Sequence, residues 1–523
     1  MILDSKHLLR LKKIPVLLIF SIIFTAVAPA MDNDDFEHLH SASFSFVRSV
    51  PQIRTHIKSY PGSIKVDGLM KVKCGEKVLK TERATFTVLS YSPSQVSYIL
   101  ALQELAHKEL SQYESIKTEW KKKVPYDLKI FVHGGIFSIN ETRIDNREYY
   151  IAVNERFDRN KAHNLLRKYR TENPGQSVSL IPVLMKSATS KISVNPGSGK
   201  KGMVCSNALF LETEKGINVN GDGYDASGKY YITAASKRSL EFAVEEDIEQ
   251  LVKRILPGEM FLSAPLETLK AQAVAARTDI FMQLGKRHIT DPWHNCSEVH
   301  CQKIKWDEPL YSKFRQAVED TRGKVLLYNG THVARAPYCS SAGGKTEDIR
   351  YVWFTAEKPY LKGVWDGDEE LGLDLSKESD LKVFLRSDYG EDNININKRH
   401  RWRTVYSQKE MDGFLKKRGI GKLRNIVPLK RGVSGRIYKI RFEGTSGNET
   451  VFGELNIRRI LNNMFSSAFI VSKTENNWVF EGMGWGHGVG MSQMGAISLG
   501  RKGRDFKFIL KRYYPGTKAV KLY

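Results

Sequence analysis

Cysteine is scarce in this 523-residue chain: Cys74, Cys205, Cys296, Cys301 and Cys339 are the whole complement. Five are too few and too scattered for a small disulfide-built scaffold, and an odd number leaves at least one without an internal disulfide partner. Beyond residue 30 no apolar run is long enough to cross a bilayer. There is no internal repeat and no sustained low-complexity tract. Acidic residues are also in deficit, 58 against 81 Lys plus Arg, for a net charge of +23. That excess suits an acidic partner, although a generally basic proteome would produce it too. What remains is globular in composition, with 41% apolar and 27% charged residues in a chain long enough for two or three domains.

Lys6, Arg10, Lys12 and Lys13 precede an apolar run at 14–27 that ends in Ala28-Pro29-Ala30. This is the pattern of an export signal cleaved after Ala30, with a retained membrane anchor as the alternative. Removing those four bases and Asp4 leaves the exported part at +20. Export to a periplasm or cell-envelope space argues against nucleic acid. It favours cell-wall polymer, anionic lipid or surface glycan as the acidic partner.

Residues 31–225 mix helix and strand patterning, with polar helical stretches expected at 95–123 and 158–170. A loop is expected at 195–202 and a turn or boundary at 220–223. From 228 the pattern tightens into strands at 230–233 and 240–244, a helix at 247–256, and a second helix opening near Pro265 with Ser263 as cap. Further strands are expected near 324–328, 332–338, 436–443 and 468–472, with a polar surface excursion at 366–397.

Four groups of residues carry chemistry. Glu259 follows Pro257-Gly258, read as a turn, and is flanked by Leu256, Met260, Phe261 and Leu262. Such a setting disfavours the ionised carboxylate and suits a general acid. His288, Cys296, His300 and Cys301 place four soft or borderline ligands within fourteen residues, a set for tetrahedral zinc or, alternatively, a Cys296–Cys301 disulfide beside surface histidines. His294 is a spare imidazole. The small-residue loop Ser340, Ser341, Ala342, Gly343, Gly344 and Lys345 is either a hairpin turn or a backbone-amide cradle for a sugar or anion. In GWGHGVGMSQ at 484–493, glycine at every second position from 484 to 490 requires close backbone approach or repeated turning. Trp485 offers a stacking face there, and His487 and Gln493 offer hydrogen bonds.

Taken in order, PGEM at 257–260, LKAQAVAART at 269–278, HCQ at 300–302, SSAGGKTE at 340–347, PYL at 359–361, SGR at 434–436, GWGHGVGMSQ at 484–493 and YYPGT at 513–517 resemble the SpoIID/LytB family. The resemblance covers 228–523. It implies an α+β fold in which a SpoIID-type domain at 226–523 forms a cleft, preceded by a separate mixed region at 31–225. One branch of that family comprises lytic transglycosylases acting on peptide-stripped peptidoglycan glycan strands; the other enhances a partner cell-wall amidase. The resemblance makes Glu259 the catalytic acid and base, with Arg277 and Lys345 as active-site companions; since either cation against Glu259 would oppose its raised pKa, both are expected to address the substrate's lactyl carboxylate or a developing oxyanion. Gln272, Ser340, Ser341, Gly344, Trp485, His487 and Gln493 become substrate-binding candidates. His288, Cys296, His300 and Cys301 become ligands of one structural zinc, and no organic cofactor is implied. Partners would be glycan strands, a cell-wall amidase and other division or wall-remodelling proteins. Within the uncovered part, the strand, helix, strand series at 149–153, 162–169 and 178–183 is similar to half of a SPOR-type glycan-binding module, a series many α/β domains share.

Overall fold

The computed structural model describes residues 45–197, 199–226, 228–298, 300–306 and 311–523; the expected export signal lies outside these. None of the described helices is long and apolar enough to cross a membrane. Helices and many strands occur together, as an α+β fold requires.

The largest sheet has twelve strands, and its path runs through Val50–Pro61, Ser239–Asp247, Lys229–Ser236, Ala208–Thr213, Ser63–Cys74, Lys77–Ser92 and Thr189–Asn195. Alternate residues of these strands, among them Ile64, Val66, Phe86, Ile192, Leu209, Ile232, Leu240 and Phe242, point to one side and form a single core. A Cys74–Cys205 disulfide ties two of its segments. The boundary expected at 225 therefore falls inside a sheet: Ser239–Asp247 pairs with Val50–Pro61 along nearly its whole length.

A second sheet has the order Ser179–Lys186, Gln95–Leu105, Glu148–Val153, Leu128–His133, with antiparallel neighbours throughout. Helices Tyr113–Lys121 and Arg159–Glu172 pack on one face through Trp120, Ala162 and Tyr169. The chain thus builds a complete strand-helix-strand-strand-helix-strand unit with sheet order 4-1-3-2, of which the sequence showed one half. Residues 95–105, expected to be helical, form a strand because Ile99 and Ala101 serve one core while Leu100 and Leu102 serve the other. The sheet's second face packs against Ile289.

Nor is the amino-terminal region separate. A hairpin, Ile136–Ile139 with Thr142–Asp145, leaves the four-stranded unit and completes a five-stranded sheet with His332–Val333, Lys324–Tyr328 and Thr517–Lys521. Its Phe137, Ile139 and Ile144 share one core with helices Ile248–Glu259 and Leu266–Gln283. The longer helix is buried on nearly every side, as its alanines and absence of a polar stripe dictate. It begins after Pro265 with no side-chain cap, so Ser263 does not have the capping role expected of it. The stretch 366–397 is no surface excursion: Leu375, Leu381 and Phe384 pack with Ala468 and Met483, and Asp366 and Asp392 are fully buried.

Candidate active site

Glu259 ends the helix Ile248–Glu259, which runs through Pro257-Gly258 where a turn was expected. Proline costs a helix its own N–H bond, but here a neighbouring segment closes the last turn from outside. The Lys305 amide donates to the Arg254 carbonyl at 3.1 Å, and the Lys303 amide donates to Glu259 Oε1 at 2.8 Å. A Cβ on Gly258 would stand 2.2 Å from the Lys303 carbonyl, so only glycine admits this approach.

Burial pushes the Glu259 carboxyl above the usual carboxylate range, opposed in part by the Lys303 amide. The burying groups differ from those expected. Phe261 and Leu262 are 57% and 42% exposed, so they line the rim rather than box the acid. Tyr338 instead stands within hydrogen-bonding reach of Glu259, and its hydroxyl donates to Gln302 Oε1 at 2.9 Å. Gln302 Nε2 in turn donates to the Ala276 carbonyl of the buried helix at 3.2 Å. Gln493 Nε2 donates to the Glu259 carbonyl at 3.0 Å, with the buried Gln272 behind it at 3.5 Å. Tyr338 and Gln302 belong to this constellation, and neither was given a role from sequence. Gln302 ends the HCQ motif, and Tyr338 lies two residues before the small-residue loop.

The remaining candidates separate. Arg277, expected to reach the cleft, is fully buried and pairs with Glu249 at 2.6 Å while donating to the Lys324 carbonyl at 3.0 Å. Tyr523 donates to the same Glu249 at 2.6 Å. Arg277 therefore closes a core ion pair and presents no charge to substrate. Ser341 is turned inward, donating to Asp392 and accepting from Asn397, and Gly344 is covered by Phe384 and Tyr389. Neither offers its side chain or Cα to a ligand. Lys345 rests its ammonium 3.9 Å from the centre of the Trp365 ring, and burial lowers its pKa. Ser340 is part-exposed, and its carbonyl accepts the Met494 amide at 3.0 Å.

Gly484, Gly486, Gly488 and Gly490 all have positive φ, from 73° to 97°, and side chains on three of them would strike Ala342, the Arg436 guanidinium or the Pro337 carbonyl. The alternation leaves Trp485 47% exposed. His487 accepts the Val489 amide at 3.0 Å and is held neutral, its pKa pushed down to about 3 by burial beside Arg436 and Arg458.

Four ligand atoms, one each from His288, Cys296, His300 and Cys301, lie within 4.8 Å of one another. His288 Nε2 is 3.3 Å from Cys301 Sγ, and Cys296 Sγ is 3.4 Å from His300 Nε2. Asp291 engages His288 Nδ1 at 2.8 Å, which aims the other ring nitrogen inward. Both cysteines are free. The donor set and its convergence fit a four-coordinate soft metal ion. His294 is not a spare ligand: its Nδ1 accepts the Arg54 amide at 2.9 Å.

A family model described as stage II sporulation protein matches residues 236–328, which contain Glu259 and the His/Cys cluster, and one described as a domain of unknown function matches 347–490. An uncharacterized protein of Brachyspira hyodysenteriae is 28% identical over 313 residues, 60% of this chain and 76% of its own length. The amidase enhancer of Bacillus subtilis is 31% identical over 305 residues, 51% of this chain and 40% of the enhancer, so the chain spans less than half of that relative. Stage II sporulation protein D of Bacillus subtilis is 27% identical over 287 residues, 52% of this chain and 73% of that protein.

Proposed function

Since this chain belongs to the SpoIID family, we propose that it is an exported peptidoglycan lytic transglycosylase, cutting peptide-stripped glycan between muramic acid and glucosamine. The observation that carries this reading is the Glu259 carboxyl, kept toward its protonated form by burial and framed by Tyr338, Gln302 and the Lys303 amide. Ordinary glycosidases need a second carboxylate to activate water or act as nucleophile. A muramic acid residue brings its own nucleophile, the 6-hydroxyl. Glu259 gives its proton to the glycosidic oxygen as that bond breaks, freeing the glucosamine 4-hydroxyl. It then takes the 6-hydroxyl proton as that oxygen bonds to the anomeric carbon, leaving a 1,6-anhydro end. One carboxyl serves both steps because they follow one another.

Lys345 and Trp485 are the groups in this reading that meet the glycan, as a cation and a stacking face. His288, Cys296, His300 and Cys301 would hold a zinc ion, which with four protein ligands would serve as a brace and have no open position for Lewis-acid chemistry. The two residues that follow His300 and Cys301 supply Gln302 to Tyr338 and the Lys303 amide to Glu259.

The second reading, a wall-bound stimulator of an amidase, is favoured by the similarity to the amidase enhancer. Adding the protein to a cell-wall amidase and, separately, to peptide-free glycan discriminates the two. The first reading expects glycan cleavage that is lost in Glu259→Gln. Amidase stimulation equal in the parent and in Glu259→Gln, with no glycan cut by either, selects the second.

A further inference from the structure

Away from Glu259, three parts of the chain meet around a half-open cavity of about 470 Å³, a size typical of sites for small ligands. The turn after helix Arg159–Glu172 and the end of strand Gln95–Leu105 form one wall, so the amino-terminal four-stranded unit contributes directly. The helix Ile349–Trp353 and the residues after it form the second, and strands Leu423–Arg431 and Ile437–Gly444 the third. None of the residues holding Glu259 lines this space.

Its chemistry is specific. Tyr351 and Tyr438 stack with ring centres 5.0 Å apart and planes 17° from parallel, and Phe354 sets its edge on Tyr438 at 6.2 Å. Neither phenolic hydroxyl has a hydrogen bond among the described residues, and Thr355 Oγ1, also lining the cavity, is buried without a partner. Open hydroxyls beside rings suit a polyhydroxylated ligand.

The charge balance adds a second requirement. Two of the three acids are already neutralised, Glu104 by Lys358 at 2.7 Å and Glu357 by both Lys108 and Lys362, while Glu109 accepts the Ala106 amide at 2.6 Å and keeps its charge. Lys430 and Lys439 line the same space, and neither makes an ion pair among the described residues. Lys430 and Lys439 outweigh the single unpaired carboxylate of Glu109, so the balance is positive and the ligand carries an anion.

The helix Ile349–Trp353 serves two sites. Phe354, at its carboxyl end, has φ of 55°, a left-handed conformation unusual for a bulky side chain and retained only where the surroundings enforce it. That turn sends Phe354 to the cavity. Trp353, 41% exposed, lies 4.9 Å from the His487 ring, in the glycine-rich segment that also carries Trp485 and Gln493.

We infer that this cavity is a second saccharide-binding site, which takes a carboxylate-bearing stretch of glycan remote from the cleaved bond, through Tyr351, Tyr438, Lys430 and Lys439. The strand leaves the Glu259 cleft over Trp485 and Trp353 and is gripped again where the amino-terminal unit closes the cavity. This assignment rests on the glycan reading above for the identity of its ligand.

Binding is measured by calorimetry in the Glu259→Gln full chain, so that no turnover intrudes. The probes are peptide-free glycan strands, chitin oligosaccharides of matched length, which lack the lactyl carboxylate, and poly-glutamate. Lys430→Glu with Lys439→Glu is expected to weaken glycan binding by roughly tenfold or more, the scale of lost charged hydrogen bonds, and to leave chitin binding nearly unchanged. Tyr438→Ala weakens both saccharides. With Glu259 restored, the lysine variant raises KM for long strands at unchanged kcat. Glycan binding equal to the parent in both variants overturns the inference. So does poly-glutamate binding that is as tight as glycan binding and is lost in the lysine variant. If the parent cuts no glycan while binding still depends on these residues, the transglycosylase reading fails and the second site stands.

Discussion

Glu259 must hold a proton before it can give one, so its raised pKa sets the direction of the pH response. Cleavage is expected at acid to neutral pH and to fall as pH rises through that pKa. Tyr338, beside the carboxyl, is one of the smaller influences that lower the Glu259 pKa, although its hydroxyl proton goes to Gln302 Oε1. Tyr338→Phe therefore moves the falling limb to higher pH, while Glu259→Gln lowers the rate by about a hundredfold or more across the range. A limb that stays in place in Tyr338→Phe, read from kcat/KM against pH, removes the tyrosine from this role. Arg277 acts elsewhere. Arg277→Ala leaves Glu249 buried without its cation, at a cost of about 3–5 kcal/mol, and Arg277→Met with Glu249→Leu recovers much of it. Denaturant titration tests both. The pair's contribution depends on pH through Glu249, whose folded pKa is depressed. Its stabilisation is complete above the unfolded carboxylate pKa and is lost as pH falls through the folded value. A raised Glu259 pKa was expected from its sequence neighbours, but Phe261 and Leu262 lie exposed and the groups around the carboxyl, Lys303, Tyr338 and Gln493, come from distant segments. The burial of Arg277 was not expected, because its partner is 28 positions away and helical spacing specifies a face but not what covers it.

Among elements, the segment 300–305 does most to shape the site. It closes the helix end at Arg254 and Glu259 from outside and carries two of the four soft ligands. Purified protein is expected to contain about one zinc per chain, the four-ligand stoichiometry of a structural site. Chelation should lower the melting temperature and glycan cleavage together, both restored by added zinc. A Cys296–Cys301 disulfide in metal-free protein, seen by mass spectrometry, contradicts this. The close ligand spacing made the cluster visible in sequence. Pro257-Gly258 misled because a local turn signal does not reveal that the Lys303 and Lys305 backbone arrives to complete a helix. The alternating glycines of 484–490 were read as close approach or repeated turning, and both occur: all four have positive φ, and a side chain on three of them would collide with its neighbours.

At the scale of the molecule, residues before 226 are part of the frame. Val50–Pro61 pairs with Ser239–Asp247, and the hairpin at 136–145 enters the core beside the Glu259 helix. Buried ion pairs of Glu148 with Lys286 and Arg335 hold the four-stranded unit against the rest. A chain of residues 226–523 alone is expected to lack cooperative unfolding, because strand edges and apolar faces lose their partners; a sharp denaturant transition equal to that of the full chain contradicts this. The α+β class came with the family resemblance, and periodicity located the strands at 229–236, 239–247, 324–328, 437–444 and 469–473, but those at 401–407, 423–431, 448–452, 477–483 and 517–521 were not anticipated. The boundary was misplaced, because alternation shows that a strand has a buried face without naming the strand beside it.

The proposed reaction requires the glycan itself to supply the nucleophile. Peptide-free glycan incubated with the full chain should yield fragments ending in 1,6-anhydro-muramic acid, each lighter by one water than a reducing end, and none with Glu259→Gln. Mass spectrometry of the products decides it. Fragments with reducing ends, or intact strands after prolonged incubation with zinc-loaded protein, would contradict the transglycosylase reading.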